Sequence, residues 1–216
     1  MSSVTPRQRS ARGEGQQLRD DLLDAALRLL ALEGDPDDVS IRAVAKATGV
    51  SPTAAYRHFA DRDALLEAAC SRSFDLFSAE LLAAVAGVDE PFERLRLAGL
   101  AYLDYANADP GLYRVLFSNP FHMDKDFTDE DSAGRTAFVV LIEMVQDCLD
   151  AGALVTRGGT THAAGDAPDA TYLAFQVWTW LHGIIDLRIT HPGLPWPDPA
   201  RMIVDLQSCL GLVAVP

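Results

Sequence analysis

The sequence predicts an all-α protein with a helix-turn-helix near its N-terminal end and a larger helical body behind it. Two short capped helices meet at a glycine within residues 40–62, and no segment of the chain alternates apolar and polar residues with period two over a useful length. The run Ala170 to Asp186 is apolar or aromatic around most of a helical circumference, which requires cover on more than one side. No internal repeat breaks this reading. A chain of 216 residues can bury a sizeable core.

Residues 1–16 form an arm rich in Gly, Ser and Gln that carries Arg7, Arg9 and Arg12, with Arg19 just beyond. Such an arm can follow a groove or backbone of nucleic acid, or serve only as a disordered solubilising tail. From residue 17, Leu22, Ala26, Leu29 and Leu30 mark a first helix that ends near Glu33-Gly34, before the acidic turn Asp35-Pro36-Asp37-Asp38. Ser40 caps the next helix, whose Ile41, Val44 and Ala45 form one apolar stripe. Gly49 supplies the positive φ that closes it, and Val50 plugs the junction. Ser51-Pro52 then restarts the chain, with serine as N-cap and proline at the first helical position.

The first turn of this second helix, Thr53-Ala54-Ala55, is small enough to approach base edges. Tyr56, Arg57 and His58 follow, a hydroxyl, a cation and an imidazole suited to phosphate oxygens. Phe59 anchors the helix in its own core. Asp61 caps the helix after it, leaving Arg62 free beside the nucleic acid. The same pattern also suits a plain three-helix core with a solvated polar face.

The run Gly49-Val50-Ser51-x-x-x-x-Tyr56-x-His58-Phe59, preceded by Ala43-Val44-Ala45 and followed by Asp61-Arg62-Asp63-x-Leu65-Leu66, resembles the DNA-binding domain of TetR-family transcriptional regulators. The resemblance covers roughly residues 17 to 66. It implies a DNA-binding domain over 17–62 and a ligand-binding and dimerisation domain over 63–216. By that resemblance Thr53 and Ala54 occupy base-reading positions, Tyr56 and His58 match phosphate contacts, Arg42 matches a position that reads a base in some members, and Arg62 clamps the backbone. With Ser51 and Arg57 these are the candidate DNA-binding residues. The recognition turn departs from the family in being poor in hydrogen-bonding side chains, which shifts base reading towards Arg42, the Thr53 hydroxyl and methyl contacts to thymine.

Further helices are expected from Asp61 to about Val85, and over about 91–107, 110–118, 131–151, 168–190 and 198–213, separated by Asp109-Pro110-Gly111, the acidic loop Asp124 to Asp131, and the stretch from Gly158 to Gly165. On the wheel of the penultimate helix, Phe175, Thr179, His182, Gly183 and Asp186 fall on one side, and Leu173, Val177, Leu181, Ile184 and Arg188 on the other. Met202, Ile203, Leu206 and Leu210 give the last helix a matching stripe. A homodimer through these two helices is inferred, its two recognition helices reading a palindromic double-stranded operator. Trp178-x-x-x-His182-Gly183 and Pro110-x-x-Tyr113-Arg-x-x-Phe117 resemble the Trp-His-Gly type of C-terminal domain in one branch of the family. The family resemblance also implies an effector pocket, with Phe74, Phe77, Tyr102, Tyr105, Phe117, Phe138, Leu141, Trp178 and His182 as candidate lining. Such a lining suits a small apolar or aromatic ligand.

Net charge is −13, yet residues 1–62 hold nine Lys or Arg against nine Asp or Glu, so the whole acidic excess lies in the body. An acidic body repels DNA and orients the protein through its N-terminal end. The N-terminal residues lack the apolar stretch of a signal peptide and no run approaches a membrane span, so a cytoplasmic protein without a membrane partner is expected. Cys70, Cys148 and Cys209 fit buried thiols, with redox sensing as the alternative. His182 and Asp186, four apart, fit a satisfied histidine, with a metal pair or an oriented general base as the alternative. His122-Met123-Asp124-Lys125-Asp126 offers ligand types but reads as a solvated loop. No third ligand stands at convincing spacing, so neither metal, cofactor nor catalytic residue is expected, and the chain is not read as an enzyme. A ligand-responsive repressor is the expected function. A dimeric interaction adaptor is the other class, and it would not require the Tyr56-x-His58-Phe59 helix.

Overall fold

The computed structural model describes residues 14–33, 35–118, 134–153 and 169–213. The expected arm, the acidic loop with His122 to Asp126, and the stretch from Gly158 to Gly165 lie almost wholly or wholly outside them. Among the described residues the chain forms α1 (Glu14–Glu33), a 3-10 turn (Pro36–Asp38), α2 (Ile41–Ala47), α3 (Pro52–Ala55), α4 (Arg62–Ala84), α5 (Pro91–Ala108), α6 (Pro110–Ser118), α7 (Arg135–Asp150), α8 (Ala170–Thr190) and α9 (Pro199–Leu210), with no strand. The all-α architecture read from the sequence is the architecture found.

Local chemistry sets the starts. Ser40, Ser51, Asp61, Asp169 and Asp198 each accept a backbone N–H from the first turn of the helix they precede, at 2.7–3.3 Å, and each such cap is worth about 1 kcal/mol. Gly49 adopts φ 70° between α2 and α3, as the sequence requires. The second helix of the pair is shorter than read. Its α-helical part ends at Ala55, and Arg57 and His58 continue it as a tighter turn, their N–H groups donating to Ala54 and Ala55 carbonyls at 3.2 and 2.9 Å.

Two hydrophobic cores result. The first gathers Leu22, Leu23, Ala26 and Leu30 of α1 with Val44, Ala45, Ala55 and Phe59, and it continues across residue 62 into Leu65, Leu66, Ala69 and Cys70 of α4. The second contains Phe74 and Phe77 from further along α4, with faces of α5, α6, α7, α8 and α9. Helix α4 therefore serves both. So does α6: Val115 is buried in the first core with Leu112 against it, while Tyr113 and Leu116 are buried in the second. The close approach is possible because position 111 is glycine, where a Cβ would lie 2.9 Å from the Ala31 carbonyl oxygen at the end of α1. Arg72 of α4 adds ion pairs to Asp20 and Asp24 of α1, both at 3.3 Å, though partly exposed pairs of this kind contribute under about 1 kcal/mol.

The last helix departs from expectation. Ile203 and Leu206 are buried within the subunit, where α9 packs on α5, and the buried Gln207 amide donates to the Phe92 carbonyl at 2.9 Å. Of the apolar stripe assigned to a partner, only Met202 and Leu210 keep partial exposure. An i, i+4 pattern cannot say which neighbour it faces, and α5 takes it here.

Candidate DNA-reading face and aromatic core

The caps of α2 and α3 and the turn at Gly49 hold Arg42, Ser51, Thr53, Tyr56 and Arg57 exposed, while Ala54 and His58 are half-buried. Beneath them Ile41, Val44, Ala45, Ala55 and Phe59 are buried, so the polar face is fixed by its apolar underside. Tyr56 is apolar in bulk yet 52% exposed, so burial in the core does not account for its place on this face. The Ser51 oxygen accepts the Ala54 N–H at 3.3 Å, leaving its hydroxyl proton available. Arg19 of α1 lays its guanidinium 5.0 Å from the Phe59 ring centroid, tying α1 to the recognition turn. The sequence marks Phe59 as an anchor but carries no sign of this partner.

Arg62 is not free, contrary to expectation. One terminal nitrogen of its guanidinium donates to the Pro36 carbonyl at 2.7 Å and to Asp37 Oδ1 at 3.0 Å, and Asp63 lies 3.9 Å from its Nε. The contact spans 25 residues of sequence, and no local pattern announces it.

All nine candidate pocket residues meet in the second core. Phe77 stands at its centre, with Tyr102, Tyr105 and Phe117 centroids 5.0, 4.9 and 5.7 Å away in edge-on contacts. Phe74 touches Phe117, and Phe138 touches Trp178. Leu141 packs against the cluster from α7. His182 sits between Phe117 and Trp178, whose ring centroids are 4.6 and 4.9 Å from its own.

The imidazole is the polar centre of this aromatic cluster. Its Nε2 lies 2.7 Å from the Tyr102 hydroxyl and its Nδ1 2.7 Å from the Tyr113 hydroxyl. A neutral imidazole has one N–H and one lone pair, so one tyrosine donates and the other accepts. Burial pushes the His182 pKa down to about 4, against a smaller upward pull from Asp186, and burial drives both tyrosines upward. His182 turns into the core, as its place in the candidate lining implies, and tyrosines rather than Asp186 take both ring nitrogens. Tyr113 was absent from the candidate lining. Its signal was present in the Tyr113 to Phe117 spacing, which puts both rings on one face of α6.

On α8, Leu173, Val177, Leu181 and Ile184 are buried as the inner face, whereas Tyr172, Phe175, Thr179, Gly183 and Leu187 are exposed. Tyr172, Phe175, Thr179 and Gly183 recur at helical spacing and give α8 an exposed apolar face with small residues in it; Leu194 and Val204 are also exposed. Cys70 and Cys148 are buried and their thiols are pushed up to about 12, a poor basis for thiolate chemistry, while Cys209 is exposed rather than buried as the sequence suggested. Among the described residues no group of three or more His, Cys, Asp or Glu could hold a metal ion, and no helix is long and apolar enough to cross a membrane.

The geometry agrees with what the chain is similar to. Residues 22–69 match the profile of bacterial regulatory proteins of the tetR family, and residues 95–207 match the tetracyclin repressor-like C-terminal domain. An uncharacterized HTH-type transcriptional regulator of Mycobacterium tuberculosis is 36% identical over 93 residues, 43% of this chain and 46% of that protein, so the chain spans about half the length of such curated relatives. A Rhodococcus sp. RHA1 protein of unknown function superposes with TM-score 0.72 at 24% identity, over 95% of this chain and 97% of the other. A tetR-family regulatory protein from Rhodococcus RHA1 does so with TM-score 0.65 at 19% identity, over 92% and 97%. Both likenesses bear on the fold alone. The C-terminal match covers more than half of the chain and the N-terminal match lies on the helix-turn-helix, so the chain belongs to the TetR family, whose members are transcriptional regulators rather than enzymes.

Proposed function

We propose that this regulator is a dimeric, cytoplasmic repressor, released from a palindromic operator by a small apolar or aromatic effector. The observation that carries the DNA-binding part is the exposed polar face of α2 and α3, with Arg42, Thr53, Tyr56 and Arg57 in solvent over a buried apolar base. One such face contacts too few base pairs to select a site, whereas two faces about 34 Å apart read two half-sites. The exposed apolar surface of α8 suits the required dimer, with Gly183 and Thr179 small enough for close helix approach. The aromatic core around His182 supports the effector part and the assignment of its C-terminal domain to the Trp-His-Gly type. Helices α4 and α6, each sharing both cores, are the levers through which an effector would alter the DNA-binding half.

Selection of bound duplexes from a random pool at near-physiological salt tests the reading. A palindrome recovered by the folded dimer supports it, and no enrichment defeats it. On the selected duplex, Tyr56→Phe and His58→Ala are each expected to weaken binding about fivefold to tenfold for every sequence alike, since phosphate contacts carry no base information. Arg42→Ala should instead relax preference at particular positions, with about 1–3 kcal/mol of discrimination lost there. Equal weakening at all positions would make Arg42 a backbone contact. Compounds that free the duplex from the wild-type protein identify the effector class.

A further inference from the structure

The acidic turn between α1 and α2 has no place in the reading above, yet it is firmly built. Asp35 accepts the Asp37 N–H at 2.9 Å, the Pro36 carbonyl accepts the Val39 N–H at 3.1 Å, and Val39 is buried in the first core. This construction aims two groups at one cation. The Pro36 carbonyl and the Asp37 carboxylate both receive the Arg62 guanidinium, at 2.7 and 3.0 Å. The Asp37 side chain is 87% exposed while that of Arg62 is 32% exposed, so the carboxylate stands on the solvent side of the pair.

We propose that Asp37 is a built-in competitor for the DNA backbone, holding the Arg62 guanidinium against the acidic turn and so lowering the affinity and the salt response of DNA binding. The inference rests on the DNA-binding reading. A phosphate approaching Arg62 meets Asp37 at like charge well inside the roughly 8 Å screening length of physiological salt. Asp63 faces the same guanidinium from α4, and the exposed Asp35 and Asp38 extend the negative rim. A cation already paired with a carboxylate neutralises a phosphate poorly and releases fewer counterions from the duplex. The turn therefore restrains binding that rests on backbone charge, and leaves a larger share of affinity to base reading.

The test uses the full chain and the duplex it selects. Asp37→Asn keeps the size of the side chain and an acceptor for Arg62 but removes the charge. It is expected to bind about twofold to fivefold tighter, with a salt slope steeper by up to about 0.9. Asp38→Asn makes the same change of net charge one position along the turn and should shift affinity less. In an Arg62→Ala background the gain from Asp37→Asn should vanish. Unchanged or weaker binding by Asp37→Asn would mean that Asp37 orients Arg62 for DNA, and would overturn the proposal. A gain of the same size in Arg62→Ala, or from Asp38→Asn, would also overturn it, as a mere effect of net charge. Asp37→Ala repeats the charge removal without the amide and should reproduce the gain. Absence of any duplex binding by the wild-type chain defeats the DNA-binding reading and this inference with it, whereas wild-type binding without the Asp37→Asn gain defeats this inference alone.

Discussion

His182→Leu is expected to destabilise the protein at pH 7 by about 2–4 kcal/mol, because two buried tyrosine hydroxyls lose their common partner. It is also expected to remove a large part of the pH dependence of stability. Burial holds the folded His182 near pKa 4, whereas an unfolded histidine titrates near its ordinary 6.5. Between those values the unfolded chain takes up a proton that the folded chain refuses. Stability is therefore full above pH 6.5, declines as pH falls through the window, and levels off below 4 as the folded form also protonates. The gap corresponds to no more than about 3 kcal/mol. Urea midpoints of wild type and variant at pH 7 and pH 5 measure both effects. Identical changes in the two proteins between these pH values would show that the imidazole is not held neutral by the aromatic cluster.

The second large effect is in packing. Phe77→Ala is expected to cost about 3–5 kcal/mol, since Phe77 is 1% exposed and its ring is met edge-on by Tyr102, Tyr105 and Phe117. For a chain of this size that is a fall of roughly 6–20 °C in melting temperature. The space left behind would be apolar and walled by aromatic rings, a setting that stays dry and admits a small aromatic guest. Benzene-sized compounds should thus raise the melting temperature of the variant more than that of the wild type. A loss below about 1 kcal/mol would mean that the cluster closes over the gap and that Phe77 is not its centre.

What the sequence revealed divides by range. Helix starts were legible because a cap is a local event: Ser40, Ser51-Pro52 and Asp61 each act on the residue three places on. The membership of the aromatic core was legible too, since Phe74, Phe77, Tyr102, Tyr105, Phe117, Phe138, Leu141, Trp178 and His182 recur at helical spacing. Who meets whom was not. Nothing near Arg62 announces Asp37, and nothing near His182 tells Tyr102 or Tyr113 from Asp186 as its partner. The wheel of α8 separated two faces without saying which is inner; Leu173, Val177, Leu181 and Ile184 are the buried one, and His182, from the other set, also joins the aromatic core, as its place among the candidate lining residues implied. The stripe of α9 failed for a related reason, its neighbour α5 lying about a hundred residues away.

Helix α6 has one further consequence. It drives Val115 and Leu112 into the first core and Tyr113 and Leu116 into the second. A fragment cut after α4 would present an open apolar socket to water where Val115 sits, and the remainder would carry the matching plug exposed. These nine residues add a second tie to the one that α4 makes between the two cores, and a single cooperative transition should report on both. The same nine residues decide how such chains can be recombined. A DNA-reading half grafted onto a foreign body inherits that body's α6, and a graft succeeds only where the borrowed helix offers a plug of the right shape.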